Sequence, residues 1–170
     1  DCSPGAGDCK LVYHDNSGTG GCVDTDALCF IDCAASTCTM SSAVVTVIDG
    51  DIGTTSGRAV VALDCSAGAT DCKIVYGDET AGDAFFVDCA DAACTSAGGS
   101  TISQLDATGG AAAQLFSKIS VDCVSGSDCK IAYVGNVTSG SESGYFIDCD
   151  SATCGTGSVV QTLNSRFAGQ

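Results

Sequence analysis

Residues 64–94, DCSAGATDCKIVYGDETAGDAFFVDCADAAC, decide how this chain folds. They hold two short apolar runs, Lys73-Ile74-Val75-Tyr76 and Ala84-Phe85-Phe86-Val87, each bounded by Asp, Gly and Cys. β-Branched and aromatic residues between such turn formers read as strands. The connectors SAGATD, GDETAGD and ADAA are rich in Gly, Asp and Ala, as tight hairpins require. Residues 58–63 and 100–105 supply a first and a fourth strand, so the stretch predicts a four-stranded antiparallel meander. Residues 107–118 come nearest to a helical period, but Gly109-Gly110 argues against a stable helix there.

The same pattern occurs once before and once after. Asp-Cys-Lys triplets stand at 8–10, 71–73 and 128–130, spaced 63 and 57 residues apart. A second anchor is an apolar pair followed by Asp-Cys: Phe30-Ile31-Asp32-Cys33, Phe86-Val87-Asp88-Cys89 and Phe146-Ile147-Asp148-Cys149. Self-similarity at this period predicts an array of like units. The fold class expected is all-β: three tandem four-stranded meanders, blade-like and stapled by local disulfides. Repeat one covers 1–55 and lacks its first strand; repeat two covers 56–114 and repeat three 115–163. A meander with one apolar face cannot bury it alone, so the units must stack on each other or on a partner.

Fourteen cysteines in 170 residues, about 8%, approach the density of a disulfide scaffold. Their spacing pairs them locally: Cys2–Cys9, Cys22–Cys29, Cys33–Cys38, Cys65–Cys72, Cys89–Cys94, Cys123–Cys129 and Cys149–Cys154. Each pair flanks a turn, where two Cα atoms come close enough to bridge. Cys22 and Cys29 lie in an insertion of the first unit. Each closed loop is worth ~2–3 kcal/mol by chain entropy. Zinc knuckles of C-x2-C type are absent, histidine is the single His14, and no haem-attachment motif exists. Bridges at this density imply an oxidising compartment, extracellular or at the cell surface.

The net charge is −15, with 19 Asp and 2 Glu. Such a surface repels nucleic acid and anionic lipid. Asp over Glu suits turns, where Asp caps its own backbone. No apolar run approaches membrane-spanning length. Asn136-Val137-Thr138 is a glycosylation sequon expected in a loop, and the Ser/Thr-rich connectors suit O-linked sugar. Asp24-Thr25-Asp26 and Asp49-Gly50-Asp51-Ile52-Gly53 are candidate calcium loops, though neither matches an EF-hand and acidic turns are the plainer reading. No other cofactor is expected.

The first unit begins at Asp1-Cys2, which matches Asp64-Cys65, and the absence of an initiator Met fits a processed chain. After the fourth strand of the third unit comes Asn164-Ser165-Arg166-Phe167-Ala168-Gly169-Gln170, which resembles Ser56-Gly57-Arg58-Ala59-Val60-Val61 before the second. Asn164, Ser165, Arg166, Phe167 and Ala168 are therefore the expected subunit contact. The tail either returns to its own first unit, closes a six-bladed ring with a second chain, or pairs with the next molecule head to tail. A heterologous contact that does not close gives a filament. An excerpt of a longer array is the remaining reading.

The unit runs strand, tight turn, Tyr-x-Asp, Gly-Asp turn, apolar pair, then Asp-Cys-x4-Cys. It resembles blade repeats of secreted bacterial β-propeller proteins, and more distantly the Asp-box repeats of sialidase-like propellers. The matching residues are Tyr76-Gly77-Asp78 with Gly82-Asp83, and Tyr13-His14-Asp15 with Gly18; the third unit departs with Tyr133-Val134-Gly135. The resemblance implies blade-like meanders. Sialidase chemistry would need three arginines, and only Arg58 and Arg166 are present. A Ser or Cys nucleophile would need a base, for which only His14, an exposed turn residue on this reading, is on offer. Asp32, Asp88 and Asp148 recur before a hairpin cysteine, which marks a structural role. The expectation is a non-catalytic extracellular structural protein that polymerises with itself head to tail. The alternatives are a glycan- or protein-binding module and, further off, a glycoside hydrolase with a carboxylate pair.

Overall fold

The computed structural model describes residues 1–2, 8–18, 21–22, 25–33, 38–39, 43–53, 60–105, 116–138, 141–154 and 159–164. Eleven strands occur among them: β1 (Cys9–Asp15), β2 (Ala27–Cys33), β3 (Val44–Asp49), β4 (Val61–Asp64), β5 (Lys73–Asp78), β6 (Asp83–Asp88), β7 (Thr101–Gln104), β8 (Phe116–Ser125), β9 (Asp128–Thr138), β10 (Ser141–Cys149) and β11 (Val159–Asn164). They form three antiparallel sheets in simple meander order, β1-β2-β3, β4-β5-β6-β7 and β8-β9-β10-β11. No helix occurs among the described residues.

Local chemistry makes the hairpins. Asp78 Oδ1 accepts the N–H groups of Thr80 and Ala81 at 2.7 and 2.9 Å, and Asp15 Oδ1 accepts those of Ser17 and Gly18 at 2.9 and 3.0 Å. Gly82 and Gly18 then take left-handed φ values of 75° and 65°, which a side chain would resist. The third unit has Gly135 where the others have these aspartates. Without a carboxylate to cap the turn, the strands run on, and β9 pairs with β10 as far as Thr138 opposite Ser141. This corrects the placement of Asn136, whose backbone lies in β9 opposite Glu142 rather than in a loop.

All seven local bridges form, with Cα separations from 4.1 to 6.4 Å. Cys123 and Cys129 face each other directly across the β8–β9 pair. Asp91 organises the turn closed by Cys89–Cys94, accepting the N–H groups of Ala93 and Thr95 at 3.1 and 2.9 Å. Cys94 and Cys154 both sit in left-handed backbone, at φ 53° and 48°. For a non-glycine residue that conformation is held by its surroundings, here the bridge and turn.

The sheets pack face on face, and strand alternation says which face. The first sheet turns Val12, Leu28 and Phe30 towards Ile74, Tyr76 and Val87 of the second. The second turns Val75, Ala84 and Phe86 towards Ile131, Tyr133 and Ile147 of the third. Every residue of β5 is therefore buried. The disulfides 65–72 and 89–94 belong to the first of these cores, and 123–129 and 149–154 to the second. Phe30 and Phe86 are wholly buried, each worth ~1.5–3 kcal/mol of apolar transfer. β4 touches both β1 and β8, so the first strands of the three sheets are neighbours.

Candidate functional site

One polar constellation occurs in each sheet. Lys10 Nζ pairs with Asp8 and Asp32, Lys73 with Asp71 and Asp88, and Lys130 with Asp128 and Asp148. The meander places it, since Lys10 lies opposite Asp32, Lys73 opposite Asp88 and Lys130 opposite Asp148. The first Asp of each group, two residues before the lysine, reaches back to the same ammonium. Asp32, Asp88 and Asp148 are thus ion-pair partners, a role their recurrence before the hairpin cysteines did not itself reveal.

Their surroundings differ. The side chains of Lys10 and Lys73 are 1% exposed, while Lys130 is 40% exposed. For Lys73 the neighbouring sheet supplies the cover. The β8–β9 turn lies over the group around Lys73, so close that a Cβ on Gly126 would come within 2.1 Å of Asp71 Oδ2. Burial pulls the Lys10 ammonium down, but the hydrogen bonds it donates to Asp32 and Asp8 outweigh this and hold its pKa above the usual lysine value. Asp128 and Asp148 likewise raise Lys130.

A second polar cluster lies between the first and second sheets. Tyr76, buried on the second, donates its hydroxyl to Asp49 Oδ2 at 2.8 Å. Burial, then this contact, lifts the Tyr76 phenol far above its ordinary range. Burial also raises the Asp78 carboxyl; the N–H groups of Ala81 and Thr80 pull it down, and the charges of Asp49 and Asp51 push it up again. Asp49 also caps the Asp51 N–H at 3.2 Å. Its oxygens thus hold the turn and the buried tyrosine. Asp26 lies 3.4 Å from His14 Nε2, and Asp24 falls outside the described residues. Among the described residues no three His, Cys, Asp or Glu side chains gather as a metal site.

His14 is not the exposed turn residue expected. It lies in β1 opposite Leu28, with its side chain 10% exposed. The bridges leave no free thiol to pair with it. Arg58, Ser165, Arg166, Phe167 and Ala168 fall outside the described residues. Asn164 closes β11, opposite Gly144.

The two outer faces complete the picture. Over the first sheet, Cys22 covers Tyr13, Ala27 and Cys29, which explains the extra bridge. On the third sheet, the face opposite its core carries a hollow of about 440 Å3 lined by Lys118, Ala132, Val134, Gly144 and Leu163. Sequence reading missed this asymmetry. Its signal was the replacement of Val60 and Ala84 on the second sheet by Lys118 and Gly144 on the third.

The class defined is thus an all-β, cystine-stapled protein of three stacked antiparallel sheets. Comparison with protein-family models, with curated proteins and with solved structures finds no match to the chain.

Proposed function

We propose that the protein is a non-catalytic structural component of the extracellular space, an array of blade-like repeats that assembles head to tail into a filament. The observation that carries this reading is the exposure of Lys130. Two lysines of the like ion-paired groups are buried at 1% exposure, that of Lys73 beneath the β8–β9 turn of the neighbouring sheet, and the third stands open at 40%. An exposed copy of a group that is elsewhere buried offers a surface on which a further sheet could pack. On this reading the first repeat takes its missing strand from the tail of the adjoining subunit, residues 165–170, since Asn164, expected in that contact, belongs to β11. Seven bridges and a charge of −15 suit a protein exposed to an oxidising exterior. The Asn136 sequon, whose backbone lies in the β9–β10 hairpin, would carry sugar on this reading.

Electron microscopy of the purified protein, with and without residues 165–170, tests the proposal; Asn164 is kept because it closes β11. The full chain should form filaments and the truncated one should not. A truncation that polymerises undiminished would exclude strand donation. The hollow on the third sheet favours a second reading, a glycan- or protein-binding module. Discrete monomers that retain a defined glycan on an array would support that instead.

A further inference from the structure

Two hydrogen bonds join neighbouring sheets in the same manner. Asp1 Oδ2 accepts the Cys65 N–H at 2.8 Å, and Asp64 Oδ2 accepts the Cys123 N–H at 2.5 Å. In each, the Asp of an Asp-Cys dipeptide in one sheet holds the Cys of the next sheet's dipeptide. The third dipeptide is Asp122-Cys123. Its Asp122 is exposed, and so is Cys2 at the other end, whereas Cys65 and Cys123 are 0% and 4% exposed. One acceptor is left over on the third sheet and one donor on the first.

The apolar positions are offset in the same direction. Leu105 packs into the core between the second and third sheets, while the corresponding Leu163 is 61% exposed. Ile74 and Ile131 are wholly buried on the faces that receive a neighbour, while the corresponding Leu11 of the first sheet is 45% exposed. Leu105 and Ile131 belong to one core between the second and third sheets, and Leu163 and Leu11 hold the corresponding places at the two ends. Leu163 borders the hollow beside Gly144, which leaves room for an incoming apolar side chain such as Leu11. Charge agrees: Lys118 is exposed beside the hollow, and Asp26, with its side chain 45% exposed, is acidic.

We propose that the third sheet of one copy stacks on the first sheet of a second copy, the Asp122 carboxylate accepting the Cys2 N–H and Leu163 and Leu11 closing the apolar contact. This rests on the head-to-tail reading above and names the surfaces that carry it. The interface would reuse the Asp–Cys hydrogen bond of the two inside the chain, around the patch that Cys22 already covers, and the incoming copy would cover the Lys130 group as the β8–β9 turn covers that of Lys73. Such an interface is heterologous, so each copy offers one face and accepts on the other.

Sedimentation velocity of the full chain and of two exposed-site variants, Leu163→Arg and Leu11→Arg, tests it. Each variant alone should fail to associate, and an equimolar mixture should give dimers that grow no further. Asp122→Ala should weaken self-association by roughly tenfold, as loss of a charge-assisted hydrogen bond does. Dimers of Leu11→Arg alone would show a two-fold contact through the third sheet and overturn the proposal. So would full-length polymers of Leu163→Arg; if removal of residues 165–170 abolished those polymers, strand donation would stand without stacking. Polymers of the truncated chain that Leu163→Arg abolishes would leave stacking standing and exclude strand donation. A wild-type chain monomeric at all concentrations would overturn both.

Discussion

At the scale of single residues, the sheets offer a controlled comparison of one ion-paired group in two environments. Removing one partner from a buried pair leaves the other charge unpaired, which costs far more than breaking a solvated pair. Lys73→Met strands Asp71 and Asp88 beneath the β8–β9 turn and should cost about 3 kcal/mol, read from urea denaturation without reductant. Lys130→Met should leave the midpoint of the unassembled protein nearly unchanged. Equal losses would mean that the covering sheet contributes nothing. Asp78 gives the complementary case. Its folded-state pKa is raised by burial, with Asp49 and Asp51 adding to it against the Ala81 and Thr80 N–H groups. The folded protein therefore takes up that proton more readily than the unfolded chain. Its ionised form costs stability at neutral pH, and that cost disappears as the pH falls into the ordinary carboxylate range. Asp78→Asn keeps an oxygen for Thr80 and Ala81 and removes the charge. The variant should be more stable than the wild type at pH 7, by a margin that shrinks towards pH 4. A margin independent of pH would exclude this account.

At the scale of elements, much was legible, and the reason is local. β5 and β6 are short runs of apolar residues between an Asp that caps and a Gly that turns left-handed, so their ends are written in the turns. The cysteine pairs were legible because the same short spacings recur around each predicted turn, even though Cys29 stands nearer in sequence to Cys33 than to its partner Cys22. The long β8 and β9 were not. Their length comes from the absence of a cap at Gly135, and the sequence marks that only as a departure from pattern. The roles of Lys10, Lys73 and Lys130 were also hidden, because an exposed-type residue reads as surface until the register sets it opposite an aspartate. Gly126 shows why packing between elements resists a linear reading. It is a small residue in a tight turn by sequence, yet its smallness is required by Asp71 of another sheet. The same limit applied to Asp1 and Asp64. Each looks like the start of a hairpin, and each also bonds across a boundary between sheets.

At the scale of the whole molecule, stability should be graded by how many faces each sheet has covered. In a stack of layers, each sheet gains from its neighbours alone, so an inner layer opens less often than an outer one. The second sheet is covered on both sides, and β5 is buried along its whole length. The third is covered on one side, with Lys118, Ser120 and Leu163 exposed on the other. Native-state hydrogen exchange should therefore be slowest in β5 and β6 and faster in β9 and β10, although the latter strands are longer. Strand length alone would predict the reverse order, which makes the ranking informative. If the third sheet is the receiving surface, association should slow exchange across β9 and β10 and change β5 and β6 little, because those strands are already sealed. Uniform protection in the unassembled chain would mean that the three sheets open as one cooperative unit and that the exposed outer face carries no deficit. Protection appearing at β5 and β6 on association would instead place the contact at the second sheet, against the layered arrangement.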